Sequence, residues 1–293
     1  MFASAIEKAQ QFTYPVITSI KYWSGEVEAG VGAFVVLNAD GWIATAGHII
    51  QIGLKAMDDL PKIAADKAAR GDVDANTKLS PGGRRAALKK LDNAADPKWI
   101  VNHSYWWGTN GVTPSSTGIS LYPDADLAIG RLEGVPVAMT ATLPTLKNPK
   151  GSLRPGTSLC RLGFPFATLK ATFDEAANKF NVDRALSFFP TDGIFTRISQ
   201  RSTKNPVPVK FIETSSPGLL GQSGGPVFDI QGRVWGIQSM TRHLPLGFRE
   251  EIEIAGKKIA VPPQFVNLGL ATHPETLTGM LDTLGVSYDV SPD

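Results

Sequence analysis

An all-β fold in two similar halves is predicted for this 293-residue chain, on three observations. Runs of β-branched and aromatic residues of strand length recur on both sides of a Pro/Gly-containing connector at 141–156. The 29 Gly and 21 Pro suit a turn-rich β protein better than a helical bundle. Apolar residues make up 42% and charged residues 19%, which permits a sizeable core and excludes wholesale disorder. No strict repeat is visible, so the halves, 1–145 and 146–293, read as two packed barrels or sandwiches.

The elements follow in order. Residues 2–11 have short helical periodicity. Residues 16–23, 30–37 and 42–46 read as strands, with a tight turn at Asn38-Ala39-Asp40-Gly41, and the third ends at Gly47-His48. Residues 51–97 are rich in Ala, Lys, Arg and Asp. They predict a helical insertion: one or two short helices broken by Pro61 and Gly71, then another capped by Ser80 with Pro81 at its first position. Its Arg84, Arg85, Lys89 and Lys90 read as a solvated face or as a contact for an acidic protein partner. Strands resume at 99–101, 127–132, 158–163, 193–198, 209–214 and 232–238. Residues 252–261 predict a hairpin turning at Ala255-Gly256, and 274–284 a closing helix.

Composition also bounds function. Lys plus Arg is 29 and Asp plus Glu 27, a net charge of +2, too even for nucleic acid or an anionic membrane as the main partner. The single Cys160 excludes an internal disulfide and a multi-cysteine zinc site, and its apolar strand setting predicts a core position. His103 and His273 lack metal-ligand spacing, so no metal or cofactor is expected. Glu7 and Lys8 interrupt any leader-like apolar stretch, and no apolar run is long enough to span a membrane. A soluble, cytoplasmic protein is the expectation.

Three short motifs carry chemistry: Thr45-Ala46-Gly47-His48, Asp124-Ala125-Asp126-Leu127-Ala128-Ile129 and Gly221-Gln222-Ser223-Gly224-Gly225-Pro226. A serine hydroxyl is a weak nucleophile unless a base stands within about 3 Å, and that base needs an acid to orient it. Histidine suits the base because it titrates near neutrality. The acid is Asp124 or Asp126. Glycines beside Ser223 allow a sharp turn that presents amides to a developing oxyanion, with Gly221 and Ser223 the natural donors, each worth about 3 kcal/mol.

In these motifs the chain resembles trypsin-like (chymotrypsin-fold) serine proteases, and most closely their HtrA/Deg-type branch, over about 15–50 and 121–270. Residues 211–214 through 236–237 are similar to that branch's nucleophile region, 162–166 to its Gly-x-Pro-Phe turn, and 259–263 to its closing strand. The resemblance implies two six-stranded antiparallel barrels with the site in the cleft between them. It implies His48 as general base and then acid, Asp126 rather than Asp124 as orienter, Ser223 as acyl-enzyme nucleophile, and Ser239 as donor to Asp126 and support for substrate backbone. Substrate-pocket walls would come from 216–220 and 239–241, with Pro217, Leu220, Ser239, Met240 and Thr241 as binding residues.

Departures from the family are informative. Gln222 replaces the Asp that would pair with a new N-terminal ammonium, so activation by N-terminal cleavage is not expected. With 70 residues after Ser223, no PDZ domain is expected. Pro217 argues against a basic substrate side chain and for an apolar or small one, while Arg242 and His243 point to an acidic one if they are not rim residues. The function implied is a serine endopeptidase acting on protein or peptide substrates. A catalytically silent peptide-binding pseudoprotease and an esterase are the alternatives.

Overall fold

The computed structural model describes residues 1–203, 207–247, 251–254, 257–260 and 264–293. Helix α1 (Ala3–Gln10) precedes strands β1 (Thr13–Tyr22), β2 (Val27–Val36) and β3 (Trp42–Ala46). Helices α2 (Gly47–Ala75) and α3 (Pro81–Ala94) follow, then β4 (Ile100–Trp107), β5 (Thr113–Tyr122) and β6 (Leu127–Glu133). These six strands hydrogen-bond in the order β4-β1-β2-β3-β6-β5. Inward-facing Val16, Phe34, Val36, Ile43 and Trp107 fill the interior, as the period of two in a half-buried strand dictates.

A short helix α4 (Val137–Thr140) and β7 (Thr145–Leu146) cross to the second half. There lie β8 (Ser158–Arg161), β9 (Thr168–Asp174), β10 (Lys179–Ala185), β11 (Thr191–Arg201), β12 (Val209–Thr214), β13 (Pro226–Phe228) and β14 (Arg233–Pro245). Hairpin strands β15 (Glu251–Ile254) and β16 (Lys257–Ala260), β17 (Phe265–Thr272), α5 (Pro274–Thr283) and β18 (Asp289–Val290) complete the chain. The ladder runs β13-β8-β11-β12-β17-β14, and a β13–β14 pairing closes it into a six-stranded ring. Each half is thus built on an antiparallel six-stranded sheet, the second closed as a barrel by the β13–β14 pairing, with β7 and β18 added in parallel outside β14. Cys160 is buried in the core between them.

Three expectations need correction, and a fourth feature was not anticipated. Helix α2 is continuous rather than broken at Pro61 and Gly71. A proline removes one helical N–H and frees the carbonyl four residues earlier; here both Pro61 and Met57 are exposed, so the loss falls on the solvent side of the helix. The helix is also anchored by buried Asp59, which accepts from Lys55, from Lys62 Nζ (3.0 Å) and from the Ile100 amide (3.0 Å). Second, His48 does not end a strand: β3 stops at Ala46, and His48 lies in the first turn of α2. Third, the last strand of the second barrel in chain order is β17. Ile259 and Ala260 belong to the β15–β16 hairpin instead, and Val261-Pro262-Pro263, like the turn Ala255-Gly256, lie outside the described residues. Fourth, an unforeseen hairpin, β9–β10, leaves the second barrel and reaches the first. It is tied there by Lys21 to Glu175 and by Arg184 stacked 4.0 Å above Trp106.

Candidate active site

The three motifs meet where the barrels touch. Pairing of β3 with β6 sets Ala46 opposite Leu127, so the residues that follow one strand and precede the other are neighbours. The Gly47 amide donates to Asp126 O (2.9 Å). Asp126 has φ +46° and ψ +46°, a left-handed conformation that Asp tolerates better than most residues. Its carboxylate accepts the His48 amide at Oδ1 (2.8 Å), satisfying one of the orphan donors at the start of α2. The same carboxylate meets His48 Nδ1 at 3.1 and 3.0 Å. Ser239 Oγ, from β14 of the other barrel, donates to Asp126 Oδ2 (2.7 Å).

Burial raises the Asp126 carboxyl, but the hydrogen bond and charge of His48, the Ser239 hydroxyl and the His48 amide outweigh it, and the net shift is downward. Asp126 is only 7% exposed, while the His48 side chain is 46% exposed. Asp124 takes no part; its carbonyl accepts from Arg201 on the surface.

Ser223 is placed through its backbone. Its carbonyl accepts from Ala33 of β2 (2.7 Å), and the Gly224 amide donates to Gln238 O of β14 (2.8 Å). Gly224 has φ +84°, and a Cβ there would collide with Ala33 O and Thr45 Oγ1. Only glycine lets the Ser223 turn approach the first barrel so closely, beside the strand end that leads to His48. Among the described residues, Ser223 Oγ forms no hydrogen bond with His48.

Gly221 has φ +95°, and a Cβ there would collide with Phe164 O. The Phe164 amide holds the Gly221 carbonyl (2.9 Å). The amides of Gly221 and Ser223 donate to no protein acceptor among the described residues. Gln222, where the resemblance would place Asp, is fully buried. Its Oε1 accepts the Leu219 amide (2.9 Å), and its Nε2 donates to Phe189 O (3.1 Å) and Thr191 Oγ1 (2.9 Å). A neutral amide therefore pins the turn without any N-terminal ammonium.

The pocket walls divide. Ser239 is buried and Met240 and Thr241 half-buried, with Thr241 Oγ1 donating to Gly218 O (2.8 Å), so 216–218 and 239–241 face one another. Leu220, 93% exposed, lies apart from them. With Leu219 it borders an apolar cavity of about 470 Å³ against β2 and the 164–169 segment, where Phe166 is 77% exposed at φ +60°. Arg242 pairs with buried Glu213 (2.9 Å), which Arg197 also pairs (2.7 Å), and His243 meets Asn267, so neither stands free at the rim. Arg161 and Gln238, unnoticed in the sequence, pack against this pocket. Among the described residues, no group of three His, Cys, Asp or Glu side chains stands close enough to hold a metal.

A family model described as the trypsin-like peptidase domain matches residues 30–237. No curated protein matches the chain. Among solved structures, an HtrA-type protease, AlgW with a tripeptide, is 14% identical with a TM-score of 0.47, the match covering 97% of this chain and 63% of that one. The Rv3671c protease from M. tuberculosis in its active form is 13% identical with a TM-score of 0.48, covering 98% and 86%. This chain thus spans less than two thirds of the HtrA-type relative. With the family match extending over most of its length and enclosing all three motifs, the chain belongs to the trypsin-like peptidase family, a family of serine-protease hydrolases.

Proposed function

We propose that the protein is a serine endopeptidase working through Ser223, His48 and Asp126. The observation that carries this reading is the His48–Asp126–Ser239 hydrogen-bond chain facing a serine turn whose flanking amides are unspent. Ser223 Oγ attacks the scissile carbonyl carbon as its proton passes to His48 Nε2. Asp126 holds the imidazole and stabilises its charged form. The tetrahedral oxyanion takes the amides of Gly221 and Ser223. Collapse breaks the C–N bond, His48 protonates the departing amine, and an acyl-enzyme remains on Ser223. Water, activated by the same histidine, then hydrolyses the ester.

The open Ser223–His48 gap favours a second reading, a peptide-binding protein without turnover, although such bonds often tighten only when substrate binds. A fluorophosphonate probe separates the two. Labelling of the folded protein, lost in Ser223→Ala and accompanied by peptide cleavage, is the expected result. Folded protein that neither labels nor cleaves is a binding module instead.

A further inference from the structure

The second barrel buries a cation for which the described residues supply no carboxylate. Arg161, on β8, is 2% exposed. Its Nη1 donates to Ser216 O (2.8 Å), Ser216 Oγ (2.8 Å) and Pro217 O (3.1 Å), and its Nη2 to the Thr214 hydroxyl. Its Nε has no partner among the described residues. Every acceptor is neutral. Burial lowers the guanidinium pKa to about 10, which still leaves it charged at neutral pH. An ion buried without a counter-ion is expensive to keep. Elsewhere in the same barrel buried carboxylates are matched by cations, Glu213 by Arg197 and Arg242 and Asp229 by Arg233.

The position of Arg161 explains the exception. Ser216 and Pro217, which hold the guanidinium, form one wall of the pocket described above. The Gly269 amide donates to Ser216 O (2.9 Å), and Gly269 pairs with Thr241 of the opposite wall. Any Cβ at Gly269 would collide with Arg161 Nη2, so this glycine makes room for the guanidinium. Gln238 lies alongside, fully buried and pressed against Gly218, with its Oε1 unpartnered. Behind the 216–218 wall thus lie a cation with an unspent Nε–H and the Gln238 amide, whose Nε2 donates to Met240 O (3.2 Å) and would have to leave it to meet an anion.

We propose that Arg161 sets substrate specificity: the side chain preceding the scissile bond is Asp or Glu, and its carboxylate supplies the missing counter-ion, with the Gln238 amide turning to meet it. This rests on Ser223 being the nucleophile. Arg161 and Gln238 are both buried, so the acid enters by displacing Gln238 from Gly218, not by occupying an open well.

The test uses the full chain and matched fluorogenic peptides that differ only before the scissile bond, bearing Glu, Gln, Leu or Lys. Hydrogen bonds to charged groups are worth enough that kcat/KM for Glu should exceed that for Gln by roughly 10- to 100-fold. Arg161→Gln should bring that ratio to about one. A wild type that cleaves Leu or Lys peptides best, or Glu and Gln alike, overturns the proposal and leaves Arg161 as a staple of the 214–217 segment. If Arg161→Gln does not fold, the wild-type ratio decides, and Gln238→Leu, which should shrink it, gives the second variant. Absence of fluorophosphonate labelling instead fails the nucleophile reading, so the two failures are distinguishable.

Discussion

The imidazole end and the hydroxyl end of the proposed site are held by different physics. At the first, side chains do the orienting: Asp126 accepts from the His48 amide, the His48 ring and Ser239 Oγ. At the second, Ser223 Oγ has no side-chain partner among the described residues, and its place follows from backbone bonds to Ala33 and Gln238 and from glycines that allow close approach. The lesson is that a single carboxylate change should disable the first end, whereas the second should fail by loosening. Asp126→Asn tests this most severely. An amide there leaves the fold intact but favours the wrong imidazole tautomer, and kcat should fall roughly 10⁴-fold. Steady-state peptide hydrolysis measures it; a loss of only a few fold would mean that something other than Asp126 orients His48.

Gln222 probes the other end. Gln222→Leu keeps approximate size but leaves the Leu219 amide and Phe189 carbonyl without the partners they have now. The turn carrying the Gly221 amide then loses its brace. Because that amide works on the transition state, the loss should appear in kcat, roughly 100-fold, with KM little changed. An unchanged kcat, or a KM effect alone, would show that the brace is dispensable to the donors. Gln222→Glu, which keeps the acceptor for Leu219 but sets a carboxylate against the Phe189 carbonyl, should fall between.

How much of this was legible in the sequence depends on how local each determinant is. The strand at 209–214 and the turn at 221–226 read directly, because burial periodicity and clustered glycines are local signals. The start of α2 at Gly47 did not read: no Ser, Thr or Asn precedes it, and its cap comes from Asp126, far along the chain. The β9–β10 hairpin hid because its residues alternate between exposed and half-buried, never deeply enough for an apolar stripe. Arg161 did leave a trace, a lone charge between Cys160 and Leu162 in an otherwise apolar strand. Its meaning needed Gly269 and Ser216, which only the closed ring brings beside it. Arg242 and His243, the basic residues that the sequence put forward, turned out to be engaged elsewhere.

Acid loss of activity could arise at either end of the site or in the fold itself, and His273 isolates the fold's share. It caps α5 by accepting the Glu275 amide at Nδ1 (3.1 Å), is buried, and its Nε2 finds no partner among the described residues. Burial lowers its pKa to about 4; Glu275 opposes that and Lys210 reinforces it. An unfolded histidine titrates near 6.5. Above that pH both states are neutral and His273 contributes no pH dependence. From about 6.5 down to 4 the unfolded chain takes up a proton that the fold refuses, so stability drops by roughly 3 kcal/mol across the window. The depressed carboxylates act elsewhere: Asp59, lowered to about 2, keeps its contribution until the pH falls below about 4. His273→Asn retains a capping acceptor but cannot protonate. Its melting temperature should therefore decline less between pH 7 and 4.5 than that of the wild type, by roughly 5–10 °C. Parallel slopes for the two proteins would place the acid sensitivity outside α5, and activity lost in that window would then be read as a property of the site.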